Sequence, residues 1–267
     1  MKKYLSFFRL RFVMGLQYRA AALAGIATQF AWGFLAIMMY RAFFRADAVA
    51  FPMSFSATVS YIWLQQAFFT IFGAWMMEYE IFDSIESGNI AYEMCRPINI
   101  YNMWYARNVA YRMSSAVLRC FPILFVAVVL PRPYRLEMPA DFRHFLLFVL
   151  TMVLGMAVTV SFSMLICMLT FFTISPQGLR TIYFSTVDFF AGAIIPLPFF
   201  PEKIQNMMEW LPFASMQNVP LRVYSGSMSE SETWKAIFLQ VFWIVIVTAF
   251  GKILCNQAER NIKVQGG

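Results

Sequence analysis

Charge is what this sequence has least of. Lys, Arg, Asp and Glu make up 13% of its 267 residues, where a water-soluble domain carries about 25%. That deficit suits a chain surrounded mostly by lipid, as do 60% hydrophobic residues and a mean hydropathy of +0.61. Histidine is nearly missing: His144 stands alone beside Arg143 and by itself makes neither a metal cluster nor a triad. The four cysteines, Cys95, Cys120, Cys167 and Cys255, lie far apart with no CxxC pair. Their spacing excludes a clustered metal site and a small disulfide-framed domain. No GxxxxGK[ST] loop occurs, so the chain does not hydrolyse nucleotide by the P-loop mechanism. No HExxH, paired-aspartate or serine–base pattern of an intramembrane protease is recognisable. An enzyme is therefore not expected, nor a cofactor or metal held by this chain.

What the chain does have is long apolar runs. A spanning helix needs about 20 mostly apolar residues, and six segments qualify. They run over Ala20–Phe44, Ala57–Met77, Met113–Leu130, Phe145–Phe172, Leu179–Leu197 and Trp234–Leu254. The fold class is thus an all-α polytopic membrane protein with six transmembrane helices. An even number of spans puts both termini on one side. With the N-terminus cytoplasmic, 12 basic residues fall inside and 8 outside, which favours that orientation in the cell (inner) membrane. The net charge of +7 then reflects anionic membrane rather than nucleic acid.

Three segments are not simple spans. Residues 1–19 carry Lys2, Lys3, Arg9, Arg11 and Arg19, too many charges for a signal-peptide core. Leu5, Phe8, Phe12 and Leu16 share one helical face, as in an amphipathic helix lying in the interface. Residues 78–108 hold five acidic residues, Glu78, Glu80, Asp83, Glu86 and Glu93. Ile81, Phe82 and Ile85 give this segment a short apolar face, Gly88-Asn89 is a helix stop, and Pro97 disfavours helix at Arg96. A short helix, a turn and a second short helix leading into span three are expected. An ordered loop with the wrong charge for the membrane surface reads as a docking site for another protein. Residues 196–223 are broken by Pro196, Pro198, Pro201, Pro212 and Pro220 around an amphipathic piece from Glu202 to Leu211. They read as a helical hairpin at the outer interface, partly re-entrant.

Charged and polar residues at membrane depth are the remaining hints. Asp188 falls mid-way through the fifth span among Ser185, Phe189 and Phe190, and Arg119 falls within the third. Such charges face a bundle interior or an aqueous cavity. Gln65 and Ser161 fit either a pathway or interhelical hydrogen bonds. Gln65, Ser161, Ser185, Asp188, Phe189 and Phe190 are the candidate pathway residues.

The run from Ile85 to Pro97, IESGNIAYEMCRP, resembles the I-x-x-G-x-[IL]-x-x-x-L-x-R-P stretch between spans two and three of ABC-2 type transporter permeases, including antibiotic and multidrug exporters. Length, basic N-terminal helix, six spans and broken outer segment agree with that family over the whole chain. The resemblance implies the transmembrane subunit of an ABC exporter. It would pair with a second permease, identical or homologous, and with two copies of a separate ABC ATPase that binds ATP and Mg. It implies that the 78–108 loop is the coupling helix seated on the ATPase, and Ile85, Glu86, Gly88, Arg96 and Pro97 match at the motif. With Ile81, Phe82, Asn89 and Tyr92 these are the candidate coupling residues. The substrate would be small and amphipathic or hydrophobic. Two other readings remain at this stage: an ion-gradient-driven secondary transporter or channel using Asp188, and a non-transporting assembly or sensor protein that docks through the acidic loop.

Overall fold

The computed structural model describes residues 2–17, 19–47, 51–139, 141–173 and 175–261. Among them every regular element is helical. The first two helices are α1 (Lys2–Gly15) and α2 (Arg19–Ala46). Next come α3 (Phe55–Ala67), α4 (Phe69–Phe72), α5 (Tyr79–Glu86) and α6 (Ile90–Met94). Then follow α7 (Ile100–Val129), α8 (Phe142–Thr170) and α9 (Pro176–Phe190). A 3-10 turn at Leu197–Phe199 leads to α10 (Glu202–Trp210), α11 (Asn218–Tyr224) and α12 (Glu230–Asn261).

Four helices, α2, α7, α8 and α12, are long and apolar enough to cross a bilayer. Twenty-eight residues or more at the α-helical rise make about 42 Å, beyond the roughly 30 Å of hydrocarbon. The chain is a multi-pass membrane protein of all-helical build. The two other apolar segments are not continuous helices. The run from Ala57 is split at Phe68 into α3 and the single turn of α4. The run from Leu179 belongs to α9, which ends where Gly192 adopts a left-handed φ of 76° and the prolines at 196, 198 and 201 prevent the helix from resuming. The helix carrying the third apolar run starts at Ile100, well before Met113. The Asn99 side chain caps it by accepting from the Asn102 backbone N–H at 3.0 Å, and α1 packs along its early turns. Sequence hydropathy reports the lipid-facing part of a helix and is blind to an extension that protein covers.

The core lies around α3. Val59, Tyr61, Ile62, Trp63 and Leu64 are buried on every side, enclosed by α2, α7 and α11. The helices α8 and α12 form the longest pair, and α11 wedges between them and α3. Its seven residues are all buried. The N-terminus of α12 is fixed by a capping box: Ser229 N–H donates to Glu232 Oε2 at 2.7 Å and Glu232 N–H to Ser229 Oγ at 3.3 Å. On α1, Tyr4 and Phe7 pack into the core, and Gly15 sits so close to Ser114 that a Cβ would collide. The neighbouring face of Leu5, Phe8, Phe12 and Leu16 is left partly open, with Leu5 exposed.

Candidate coupling site

The helices α5 and α6 sit at one end of the bundle, where α1, the start of α7 and the start of α9 converge. The inward face of α5 is apolar: Ile81 and Phe82 are buried and pack towards α8. Charge then locks the helix to three neighbours. Arg107 of α7, itself buried, donates from Nε to Glu78 Oε2 at 3.0 Å and also pairs with Glu80. Arg11 of α1 reaches the same Glu80 oxygen at 3.4 Å. Arg180, in the first turns of α9, lies over the rings of Tyr79 and Phe82, at 4.3 and 5.2 Å from their centroids.

Two further ties hold α6 and the exit from it. Trp104 Nε1 of α7 donates to Glu93 at 2.5 Å, and its ring stacks on Phe171 beyond the end of α8. Lys3 of α1 donates to the Pro97 carbonyl at 2.8 Å. Between the helices, Gly88 takes a φ of 75°, a left-handed backbone that glycine adopts at no steric cost.

Burial keeps the Glu78 carboxyl above its ordinary value, with the Arg107 guanidinium pulling the other way. The net direction says that desolvation of this carboxylate outweighs its ion pair.

The nine candidate coupling residues therefore divide by role. Ile81 and Phe82 point inward and Ile85 is half-buried, so these three anchor the segment. Glu86, Gly88, Asn89, Tyr92, Arg96 and Pro97 are exposed and form one outward surface, with Tyr92 77% accessible. The residues that fix this surface in place, Glu78, Glu80, Glu93, Lys3, Arg11, Trp104, Arg107 and Arg180, carry no motif. Glu93 and Arg107 look in sequence like ordinary loop and cytoplasmic charges.

The candidate pathway residues do not form one group. Gln65 Nε2 donates at 2.7 Å to the Ala193 carbonyl, in the turn after α9; that turn folds back so that Ala193 N–H donates to the Asp188 carbonyl. Gln65 and Asp188 thus belong to one neighbourhood. Phe189 and Phe190 extend it: their rings contact each other edge-on, and reach Phe200 and Phe213. Ser185 is exposed on the preceding turn. Ser161 is elsewhere, buried in the α8–α12 contact with its hydroxyl 3.0 Å from that of Thr248.

Sequence reading also passes over Arg112, which counts there as one more cytoplasmic cation. It is fully buried. Its Nε donates to Asn108 at 2.9 Å, one terminal nitrogen to the carbonyls of Ile71 (2.8 Å) and Gly73 (3.0 Å), and the other to Ser163 Oγ (2.9 Å). Those carbonyls are what the break after α4 leaves unpaired by helix. One guanidinium thus joins the broken segment, α7 and α8. The only signal available in sequence was an arginine immediately before the third apolar run.

Helices of this length and polarity make the chain a multi-pass membrane protein, with an anchored polar surface at one end of the bundle. The sequence profile described as ABC-2 family transporter protein matches residues 30–266, nearly the whole chain. The chain belongs to the ABC-2 family of transporters. Among curated proteins none matches it.

Proposed function

We propose that this chain is the permease subunit of an ABC exporter, driven by ATP hydrolysis in two copies of a separate ABC ATPase. The observation that carries this reading is the α5–α6 surface. It is rigidly backed by charges from α1, α7 and α9 and open towards solvent at Glu86, Tyr92 and Arg96. A load-transmitting contact needs this construction, because a push on a surface moves the bundle only if the surface cannot yield first. ATP and Mg belong to the partner, and this chain contributes no hydrolytic site.

In this reading both termini and α5–α6 are cytoplasmic. The segments α3–α4 and α9 complete six passages of the inner membrane as shortened or broken helices, and α10–α11 form a re-entrant hairpin at the outer side. Ile81, Phe82 and Ile85 transmit movement inward. A second permease lies alongside. Aromatic residues around Phe189 and Phe190, with Gln65, Ser185 and Asp188, line the way for a small amphipathic or hydrophobic substrate.

The test is affinity purification of the tagged chain from its native membrane in mild detergent. An ABC ATPase should co-purify, and reconstituted vesicles should move substrate only with ATP and Mg. Recovery without any ATPase, or transport driven by an ion gradient alone, would refute the assignment.

A further inference from the structure

Polar side chains meet at membrane depth where α2, α3 and α7 converge, and the fold gives them no partners. Gln29 of α2 is 4% exposed, and both its amide oxygen and its amide nitrogen are buried without a hydrogen bond among the described residues. Arg119 of α7 is half-buried. Its Nε is buried with no acceptor, and its terminal nitrogens donate to nothing among the described residues. Gln66 of α3 is half-buried, and its amide is likewise unbonded among them. In hydrocarbon each such group is costly, and folded proteins seldom leave one buried without something that satisfies it.

Two glycines of α2 show that the three are neighbours. A Cβ on Gly25 would lie 2.5 Å from Arg119 Nη1, and one on Gly33 would lie 3.2 Å from Gln66 Cγ. Gln29 stands one helical turn from each glycine on the same face, with Cβ positions about 6 Å apart. The Gln29 side chain therefore sits between the guanidinium and Gln66.

The cluster is open on one side. Ala21, Ala24 and Thr28, which flank Gly25 on α2, are small and exposed, so no bulky side chain of α2 closes the approach from lipid. No carboxylate competes for the guanidinium: among the described residues, Tyr111 is the one titratable side chain that acts on Arg119. Asp188 belongs to the turn that Gln65 holds, on the α9 side of α3.

We infer that this cluster binds the anionic head of an amphiphile, a phosphate, sulfate or carboxylate on an alkyl tail, and that such molecules are the substrate class. A guanidinium presents its N–H donors in one plane, the geometry that oxyanions accept, and the two amides add donors of their own. The tail stays in lipid beyond Ala21, Ala24 and Thr28. Head-group charge then decides what the site takes, because the tail is solvated equally well before and after binding. The inference rests on the permease reading and deepens it, since it assigns a charge to the substrate's head.

The test compares one hexadecyl tail bearing three heads: hexadecyl phosphate, hexadecanol and hexadecyltrimethylammonium, each radiolabelled. Binding to the purified full-length chain is read by scintillation proximity in a neutral maltoside detergent. Hexadecyl phosphate should bind saturably, and about tenfold or more tighter than either of the others. Arg119→Gln should abolish that preference, and Arg119→Lys should keep part of it. Gln29→Leu should weaken phosphate binding about threefold and leave the thermal midpoint at or above that of wild type, because it removes two stranded polar atoms. That midpoint separates a lost ligand contact from a misfolded chain. In inside-out vesicles holding the ATPase, ATP and Mg should drive uptake of hexadecyl phosphate and not of the cation. Equal affinity for the three heads, a preference that survives Arg119→Gln, or no uptake of hexadecyl phosphate would each overturn the inference. So would displacement of hexadecyl phosphate by phosphatidylglycerol at equal concentration, which would identify a resident membrane lipid. Co-purification of the ATPase is scored separately, so a missing head-group preference with the ATPase retained refutes this inference and leaves the permease reading standing.

Discussion

Arg107 of α7 holds Glu78, the residue that opens α5, through a 3.0 Å hydrogen bond in which the arginine side chain is only 4% exposed. The contact crosses from a membrane helix to the proposed coupling segment, and Glu80 and Arg11 extend it to α1. Beside the buried Ile81 and Phe82, contacts of this kind tie α5–α6 to the bundle: charge or cation–π contact behind, open polar surface in front.

Removing one side of the pair tests this tie. Arg107→Ala leaves a mostly buried carboxylate unpaired and should cost about 3 kcal/mol, read as a lower thermal midpoint in detergent. Glu78→Gln keeps an acceptor for the Arg107 Nε and should cost much less. An Arg107→Ala protein as stable as wild type would mean that the pair holds nothing.

The pH dependence follows from the raised Glu78 value. A carboxyl that binds its proton more tightly when folded favours the folded state at low pH. Its contribution is full below the ordinary value of 4.5 and is lost as pH rises through the folded value. The thermal midpoint of wild type should therefore fall relative to Glu78→Gln across that interval and run parallel to it above. Parallel curves throughout would show that Glu78 is not desolvated in the folded protein.

Exposed coupling positions should separate function from stability. Glu86→Ala and Arg96→Ala remove solvent-facing side chains, so the thermal midpoint should change by no more than about 0.5 kcal/mol equivalent. ATP-driven transport should drop while the partner still hydrolyses ATP. Full transport in both variants would remove this surface from the coupling path.

Arg112 should be among the least replaceable residues. Arg112→Met leaves the Ile71 carbonyl and Asn108 Oδ1 without their arginine donor, while Gly73 and Ser163 keep bonds to Met76 and Thr159, a loss of about 3 kcal/mol from unmet buried groups. Arg112→Lys should recover only part of it, because an ammonium lacks the planar fork that reaches acceptors in three directions. Thermal unfolding of the two variants in lipid nanodiscs, compared with wild type, measures the ordering.

Asp188→Asn distinguishes the energy source. In an ATP-driven exporter it should leave at least a third of wild-type transport, whereas a proton- or ion-coupled carrier would lose transport altogether. Vesicle uptake with ATP, and with an imposed pH gradient, reads both.

Apolar run length alone gave the membrane class, the helical fold and the places of α2, α7, α8 and α12, because lipid demands about 20 apolar residues of any helix that crosses it. The run from Ile85 to Pro97 stood out as the segment proposed to couple, and local chemistry accounts for its shape: Gly88 for the left-handed turn, Asn99 for the cap of α7. Tertiary structure decided the rest. Ile81 and Phe82 turned inward while Glu86, Tyr92 and Arg96 stayed outward, because α8 and α9 happen to cover one side of α5. Arg107 and Arg112, alike in sequence as basic residues near the start of one helix, became an anchor for the acidic loop and a staple for a broken helix. Arg119 came to rest against Gly25 of α2, and Asp188 beside the turn that Gln65 holds. Pairing between distant segments depends on which faces meet, and periodicity along a single chain carries no record of that.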